Sequence, residues 1–331
     1  MFQRMWGIMA DTQVLVTGGS GFIGSHCVAA LLSAAYRVRA TVRSPEREAD
    51  VRDMVARAGA NAADTLTFTV ADLTSDDGWP EAIDGSDFVL HVASPFPPDD
   101  PVDEAKVIVP ARDGTIRVLR AARNAGVKRV VLTSSFAAIG YGHGTRDREF
   151  TEEDWTDIDG RGVTGYVKSK VLAERAAWDF IKRGGGQTEL CVINPTATFG
   201  PTLSDDISAS LIPILTLLTA GVAQMANFSF PVADVRDIAD MHVRAMTHPG
   251  AANERFIACC DGSPITMGHA AHVLREWTGA ETVIESPVLG EIVRPSNRKA
   301  KAVLGFNPRP IDEALLSTAG SLVRTGLVAA P

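Results

Sequence analysis

Tyr166 and Lys170 stand four residues apart in Gly165-Tyr-Val-Lys-Ser-Lys-Val-Leu-Ala-Glu174, a stretch whose apolar spacing predicts a helix. That spacing brings both side chains onto one helical face, whereas Lys168, two residues from the tyrosine, should point away. A phenol beside an ammonium is a proton donor in the making. Free tyrosine titrates near ~10, and a fixed positive charge within about 4 to 6 Å favours the phenolate and draws the pKa toward neutrality. Such a group can protonate a carbonyl oxygen as hydride arrives at its carbon. The pair alone is a weak signal, because a tyrosine and a solvated lysine meet on many amphipathic helices.

A second constellation near the start gives the pair a context. Val14-Leu-Val-Thr-Gly18-Gly-Ser-Gly21-Phe-Ile-Gly24 reads as an apolar strand, a glycine turn and the opening of a helix over Phe22 to about Ser33, followed by a second strand over Arg37–Val42. Glycines there permit a tight turn and close backbone approach, and the helix start aims unpaired N–H groups and a positive dipole end at a pyrophosphate.

The elements that must carry these residues follow from hydrophobic periodicity. Strand-like runs at Val14–Thr17, Arg37–Val42, Leu66–Val70, Phe88–Val92, Arg129–Thr133 and Glu189–Ile193 alternate with helical patterns, the longest over Val107–Asn124 and Gly165–Arg183. This is the pattern of an α/β protein with a doubly wound parallel sheet. The alternation stops after Ile193. A dinucleotide-binding domain is therefore expected over 11–193, rejoined by 232–258, with 194–331 supplying mainly a smaller C-terminal substrate-binding cap. Ligands of such sheets lie at the carboxyl ends of the strands.

The chain resembles the extended short-chain dehydrogenases/reductases over about Gln13 to Leu327. Within them it is most similar to the dihydroflavonol reductase, cinnamoyl-CoA reductase and microbial aldehyde/ketone reductase group. The narrower likeness is carried by Val38-Arg-Ala-Thr-Val-Arg43, His91-Val-Ala-Ser-Pro95, Arg129-Val-Val-Leu-Thr-Ser-Ser135, Asn194-Pro-Thr-Ala-Thr-Phe-Gly-Pro201 and Val232-Ala-Asp-Val-Arg-Asp237. The resemblance implies a Rossmann fold and a catalytic set of Ser135, Tyr166 and Lys170. Ser134 is the competing hydroxyl, since strand alternation sends neighbours to opposite faces. It also implies cofactor contacts from Gly18, Ser20, Gly21, Phe22, Ile23 and Gly24, from Asp72 and Leu73 at the adenine edge, from Ala93, Ser94 and Thr133, and from Tyr166, Lys170, Pro195 and Thr196.

Cofactor choice turns on the end of the second strand. An NAD-preferring site places Asp or Glu there to accept the ribose 2'-hydroxyl, whereas this chain has Arg43, which suits a 2'-phosphate. NADP(H) is therefore expected, with Arg39 or Arg47 as possible auxiliary cations. Phe96, Phe136, Phe199 and Leu203 could line an apolar substrate pocket. His91 reads as a hydrogen-bonded core histidine, His143 as a candidate substrate contact, Glu149–Asp159 as a solvated acidic loop, and Trp155 as the residue that pins that loop.

Composition is compatible and narrows the partners. The 331 residues are 45% hydrophobic with a net charge of −8 and a pI near 5.4, which argues against a nucleic-acid backbone. Cys27, Cys191, Cys259 and Cys260 show no metal-ligand spacing and read as buried thiols of a reducing compartment. Met1–Ala10 is too short and too weakly basic for a signal peptide, and no apolar run reaches a membrane span; the longest, Leu211–Ala223, suits a buried helix lining a pocket. The expectation is a cytoplasmic, metal-free carbonyl reductase, monomer or homodimer, acting on a small carbonyl compound. A nucleotide-sugar epimerase or dehydratase, or a sensor that holds NADP(H) without turnover, is the alternative.

Overall fold

In a computed structural model the chain is described over residues 11–95, 103–144, 146–184, 186–219, 226–278 and 287–330. Seven parallel strands form one sheet: β1 (Gln13–Thr17), β2 (Arg37–Val42), β3 (Leu66–Val70), β4 (Phe88–His91), β5 (Arg129–Thr133), β6 (Glu189–Pro195) and β10 (Arg255–Ala258). Their order across the sheet is β10-β6-β5-β4-β1-β2-β3. The direction of winding reverses between β1 and β4, so a crevice opens above the carboxyl ends of those two strands.

Side-chain alternation assigns the strands to two cores. Val14 and Val16, Val131, and Cys191 and Ile193 face the helices Phe22–Ser33 and Val235–Thr247, in a core with Leu31, Ile238 and Met241. Leu15, Val130 and Leu132, and Leu190 and Val192 face the opposite way, onto Val118, Leu119 and Ala177 of the long helices Ala105–Asn124 and Gly165–Gly184. A period of two, buried on both faces, is what a strand clad by helices requires.

Beyond β6 the chain builds a third core. The short strands β7 (Ala197–Phe199) and β9 (Val232–Asp234) pair in parallel, and β8 (Ser229–Phe230) pairs antiparallel with β11 (Ile265–Thr266). Helices Ile212–Thr219, Met267–Val273 and Ile311–Arg324 pack over them, burying Leu211, Ile214, Leu217, Leu315 and Leu322. The chain re-enters the main sheet at β10, where Arg255–Ala258 pairs with Val192–Pro195. The apolar run from Leu211 thus gives a helix that buries Ile214 and Leu217 and exposes Ile212. Its expected continuation through Ala223, like Met1–Ala10, lies outside the described residues. No helix among the described residues is long and apolar enough to cross a membrane. All four cysteines are buried and unpaired, and burial pushes their thiols up.

Candidate active site

The glycine turn after β1 is fixed from both sides. Thr17 Oγ1 accepts the N–H groups of Val92 and Ala93 at 3.0 Å each, tying the end of β1 to the end of β4. With two donors on that oxygen, its proton goes to His91 Nδ1 at 2.8 Å, so His91 is a neutral core histidine; burial lowers it to about 3. On the other side, Gly18 N donates to Thr41 Oγ1 at 2.9 Å and Gly19 N to Thr41 O at 3.1 Å. Gly18 holds φ at +69°, and a Cβ on Gly24 would lie 2.1 Å from the Gly18 carbonyl oxygen. Both positions therefore demand glycine. The helix beginning at Phe22 has no side-chain cap and no acidic residue in its first turn, which leaves its positive end turned toward the cleft.

A cleft of about 1040 Å³ runs from this turn across the ends of β4, β5 and β6 into the third core. Gly18, Ser20, Gly21, Phe22, Ile23 and Gly24 line one end together with Arg43, Asp72 and Leu73. Ala93, Ser94, Thr133, Ser135, Tyr166, Lys170, Pro195 and Thr196 line its middle. Arg43 makes no hydrogen bond or ion pair with the described residues, and its charge helps hold Asp72 low beside the stronger effect of the Thr74 hydroxyl. The other two arginines are committed elsewhere. Arg39 Nη1 caps the helix Trp79–Ile83 by donating to Ala82 O at 2.9 Å and Asp84 O at 2.7 Å, and Arg47 pairs with Asp50 and with Asp206 at 3.0 Å.

The reactive groups converge at the end of β5. Ser135 has extended backbone, and its Oγ accepts Ala137 N at 3.1 Å and shares a hydrogen bond with the Tyr166 phenol. Ser134 points to the other side, where its hydroxyl donates to Glu174 Oε2 at 2.5 Å. Lys170 Nζ lies 5.5 Å from the Tyr166 ring centre and donates to Ser94 Oγ at 2.7 Å. Thr133, although on the cleft wall, spends its hydroxyl on His242 Nε2 at 2.7 Å.

The electrostatics differ from the expectation drawn from spacing alone. Burial pushes the Tyr166 phenol up to about 12, with the Ser135 hydrogen bond pulling it back and the nearby Tyr141 raising it further. The same burial lowers Lys170 to about 8. Desolvation penalises both charged forms at once, so in this cleft the phenol is a firmly protonated acid rather than an incipient phenolate.

The substrate-side residues divide. Phe136 and Phe199 reach the cleft wall but are only 1% and 2% exposed. Phe136 packs edge-on against Tyr141 and Phe150, and Phe199 against Phe230. Leu203 lies outside the lining, buried with its carbonyl accepting from Arg57, and Phe96 lies outside the described residues. His143 is likewise absent from the wall: its Nε2 donates to Trp155 O and its Nδ1 accepts from Arg146, both at 2.8 Å. The acidic loop is pinned rather than solvated. Asp154 pairs with Arg146 and Arg148, Glu152 accepts Ile257 N, and Trp155 packs against the guanidinium groups of Arg255 and Arg175. Residues that sequence reasoning missed include Tyr141, Phe228, Phe230 and Met267, all on the wall. Only Tyr141, a ring in a glycine-rich loop just after β5, carried a usable signal.

Comparison with known proteins fits this geometry. Cinnamoyl-CoA reductase 1 of Petunia hybrida is 36% identical over 327 residues, covering 96% of this chain and 94% of its own length. Dihydroflavonol 4-reductase of Hordeum vulgare is 35% identical over 270 residues, covering 80% and 74%. Among solved structures, the yeast methylglyoxal/isovaleraldehyde reductase Gre2 in complex with NADPH superposes with a TM-score of 0.84 at 26% identity, covering 95% of this chain and 99% of that one. Residues 14–259 match the NAD dependent epimerase/dehydratase family, and with the nucleotide turn, the sheet order and the Ser135–Tyr166–Lys170 set on one cleft, the chain belongs to that family, the extended short-chain dehydrogenases/reductases.

Proposed function

We propose that the protein is an NADPH-dependent carbonyl reductase that converts an uncharged, largely apolar aldehyde or ketone to the alcohol. One observation carries the reading: a single cleft has the Ser135–Tyr166–Lys170 set at its middle and, at its nucleotide end, Arg43, which makes no hydrogen bond or ion pair with the described residues. The chain's own residues fit such a cofactor. The uncapped helix start and the glycines that no Cβ could replace suit a pyrophosphate, Arg43 suits a 2'-phosphate, and Asp72 suits the adenosine edge. When bound, NADPH supplies a hydride.

The protein's part is to hold and move a proton. Tyr166, protonated throughout the physiological range, gives its proton to the carbonyl oxygen as charge develops there, and Ser135 donates a hydrogen bond to the same oxygen. Lys170 places a positive charge beside the phenol, stabilising it as it turns into phenolate, and is itself oriented by Ser94. Burial of Lys170, Ser134 and Thr133 lowers the local polarity and so strengthens each of these interactions.

Charge decides the substrate class. Among the described residues lining the cleft, the cations are Arg43 and Lys170, both at cofactor positions. The sequence over 96–102, 220–225 and 279–286 contains no Lys or Arg. A diphosphate-bearing substrate, whether a nucleotide sugar or a CoA thioester, would thus find no further cation among the described residues that line the cleft. Phe228, Phe230, Pro213 and Met267 instead offer an apolar wall, with the Tyr141 hydroxyl, which has no protein partner among the described residues, as a donor for a second oxygen. Keto esters, diketones and aryl ketones fit best. The test is loss of reduced-nicotinamide absorbance with NADPH and NADH in parallel, against those carbonyls, aldehydes, a hydroxycinnamoyl-CoA and a nucleotide sugar. Turnover of the neutral carbonyls with NADPH supports the reading. Turnover confined to the CoA thioester or the nucleotide sugar, or cofactor binding without any turnover, overturns it in favour of a thioester reductase, an epimerase or a sensor.

A further inference from the structure

Directly beneath Ser135 lies a charged group that the proton-transfer scheme does not use. Glu174 follows Tyr166 and Lys170 on the same face of the Gly165–Gly184 helix, at the spacing i, i+4, i+8, and is 1% exposed. Its carboxylate is saturated. Oε2 accepts the Ser134 hydroxyl at 2.5 Å and Asn194 Nδ2 at 2.8 Å; Oε1 accepts Trp178 Nε1 at 3.2 Å and is ion-paired to Arg255 Nε at 2.5 Å, with that N–H off the line of a hydrogen bond. Asn194 Nδ2 also donates to the backbone oxygen of Ser135 at 3.1 Å. Arg255 in turn lies 3.9 Å over the Trp155 ring and donates through Nη1 to Glu152 O and Asp154 O.

Two of these bonds converge on the dipeptide that carries the catalytic hydroxyl. The side chains of Ser134 and Ser135 leave the backbone on opposite faces, so fixing one fixes the direction of the other. A buried ion pair is a poor source of stability compared with an apolar pair of the same shape. Its position here, joining β5, β6, β10 and the helix of Tyr166, gives it a different use.

We infer that Glu174, held by Arg255, is a positioning residue that sets the Ser135 hydroxyl against the Tyr166 phenol by gripping Ser134 and Asn194. The inference rests on the reductase reading only for its kinetic consequence; the geometry itself can be tested without substrate. The chain has three tyrosines, so ¹³Cζ-tyrosine NMR of the cofactor-free protein resolves Tyr166 once Tyr166→Phe has assigned it, and Ser135→Ala shows where the resonance moves when that hydrogen bond is lost. Glu174→Gln is expected to move the resonance in the same direction as Ser135→Ala, to lower kcat about tenfold, and to leave NADPH affinity within about twofold. The Ser135→Ala/Glu174→Gln double variant is expected to be no slower than Ser135→Ala alone, because residues acting through one contact are not additive. An unmoved Tyr166 resonance, or losses that multiply in the double variant, would overturn the inference. If Glu174→Gln leaves Arg255 unpaired and does not fold, Ser134→Ala cuts one of the two ties at little change in volume. A smaller shift in the same direction then supports the inference, and a wild-type spectrum refutes it. Inactivity of the wild type with every carbonyl would defeat the functional reading while leaving the resonance test intact.

Discussion

Arg43→Ala removes a cation that the protein does not use for itself. Arg43 is exposed at the end of β2 and makes no hydrogen bond or ion pair with the described residues, so its loss costs no internal contact. The nearest substitutes are spent: Arg39 on the carbonyls that close the helix Trp79–Ile83, and Arg47 on Asp50 and Asp206. The variant therefore isolates the interaction with a 2'-phosphate. A charge-assisted hydrogen bond contributes about 1.5–3 kcal/mol. At about 1.4 kcal/mol per decade, NADPH binding should weaken roughly 10- to 150-fold, with NADH binding within about twofold of wild type and the melting temperature unchanged. Cofactor fluorescence titration gives both dissociation constants, and kcat/KM with each cofactor at saturating carbonyl gives the preference. Arg43→Asp should go further and favour NADH, since a carboxylate accepts the 2'-hydroxyl and repels the phosphate. An unchanged ratio of NADPH to NADH affinity in Arg43→Ala would refute the assignment of this end of the cleft.

Three other outcomes follow from particular contacts. For carbonyl reduction, kcat/KM should be flat below about pH 7 and fall as pH rises through about 8, where Lys170 loses its charge while Tyr166, at about 12, keeps its proton; in Lys170→Arg that limb should vanish, and its persistence would assign it to another group. Gly24→Ala places a methyl 2.1 Å from the Gly18 oxygen, so the turn must shift; urea unfolding should show a loss of about 1–3 kcal/mol and titration at least a tenfold weaker NADPH affinity, and a neutral result would mean that the turn tolerates a side chain. His242 is held neutral, lowered to about 4 by burial with Nδ1 donating to Ile238 O. Because its folded pKa lies below its unfolded one, the unfolded state takes up the proton first and stability falls as pH drops below 6.5; between pH 7 and 5 the loss should be on the order of 2 kcal/mol, and His242→Gln should be less pH-sensitive by that amount.

The parts of the molecule governed by local chemistry were open to reading in the residues. β2, β3 and β5 begin and end where their apolar runs do, and the helix from Phe22 closes at Ser33. Proximity of Ser135 and Tyr166 follows from one strand end and one helix start meeting at a crevice. What depends on closure in three dimensions was not open. The pKa of Tyr166 is set by burial rather than by Lys170, because the lysine is desolvated by the same walls. The acidic loop is held by Arg255, about a hundred residues away along the chain, and spacing gives no hint of that pairing. Phe136 and Phe199 are core rings that only graze the cleft, whereas Phe228 and Phe230 form its wall from a segment with no regular period. Glu174 is the intermediate case: its i+8 place beside Tyr166 and Lys170 was visible, but its partners were not.

In the proposed reaction hydride passes to a carbonyl carbon while Tyr166 gives a proton to the oxygen. Its most direct test is turnover of an aryl ketone or keto ester with NADPH deuterated at the transferable position, comparing wild type with Tyr166→Phe. The expected product is an alcohol carrying one deuterium at the carbinol carbon, formed at least ~100-fold more slowly by the variant, because a general acid has been removed. An alcohol without deuterium, or a variant that keeps wild-type turnover, would contradict it.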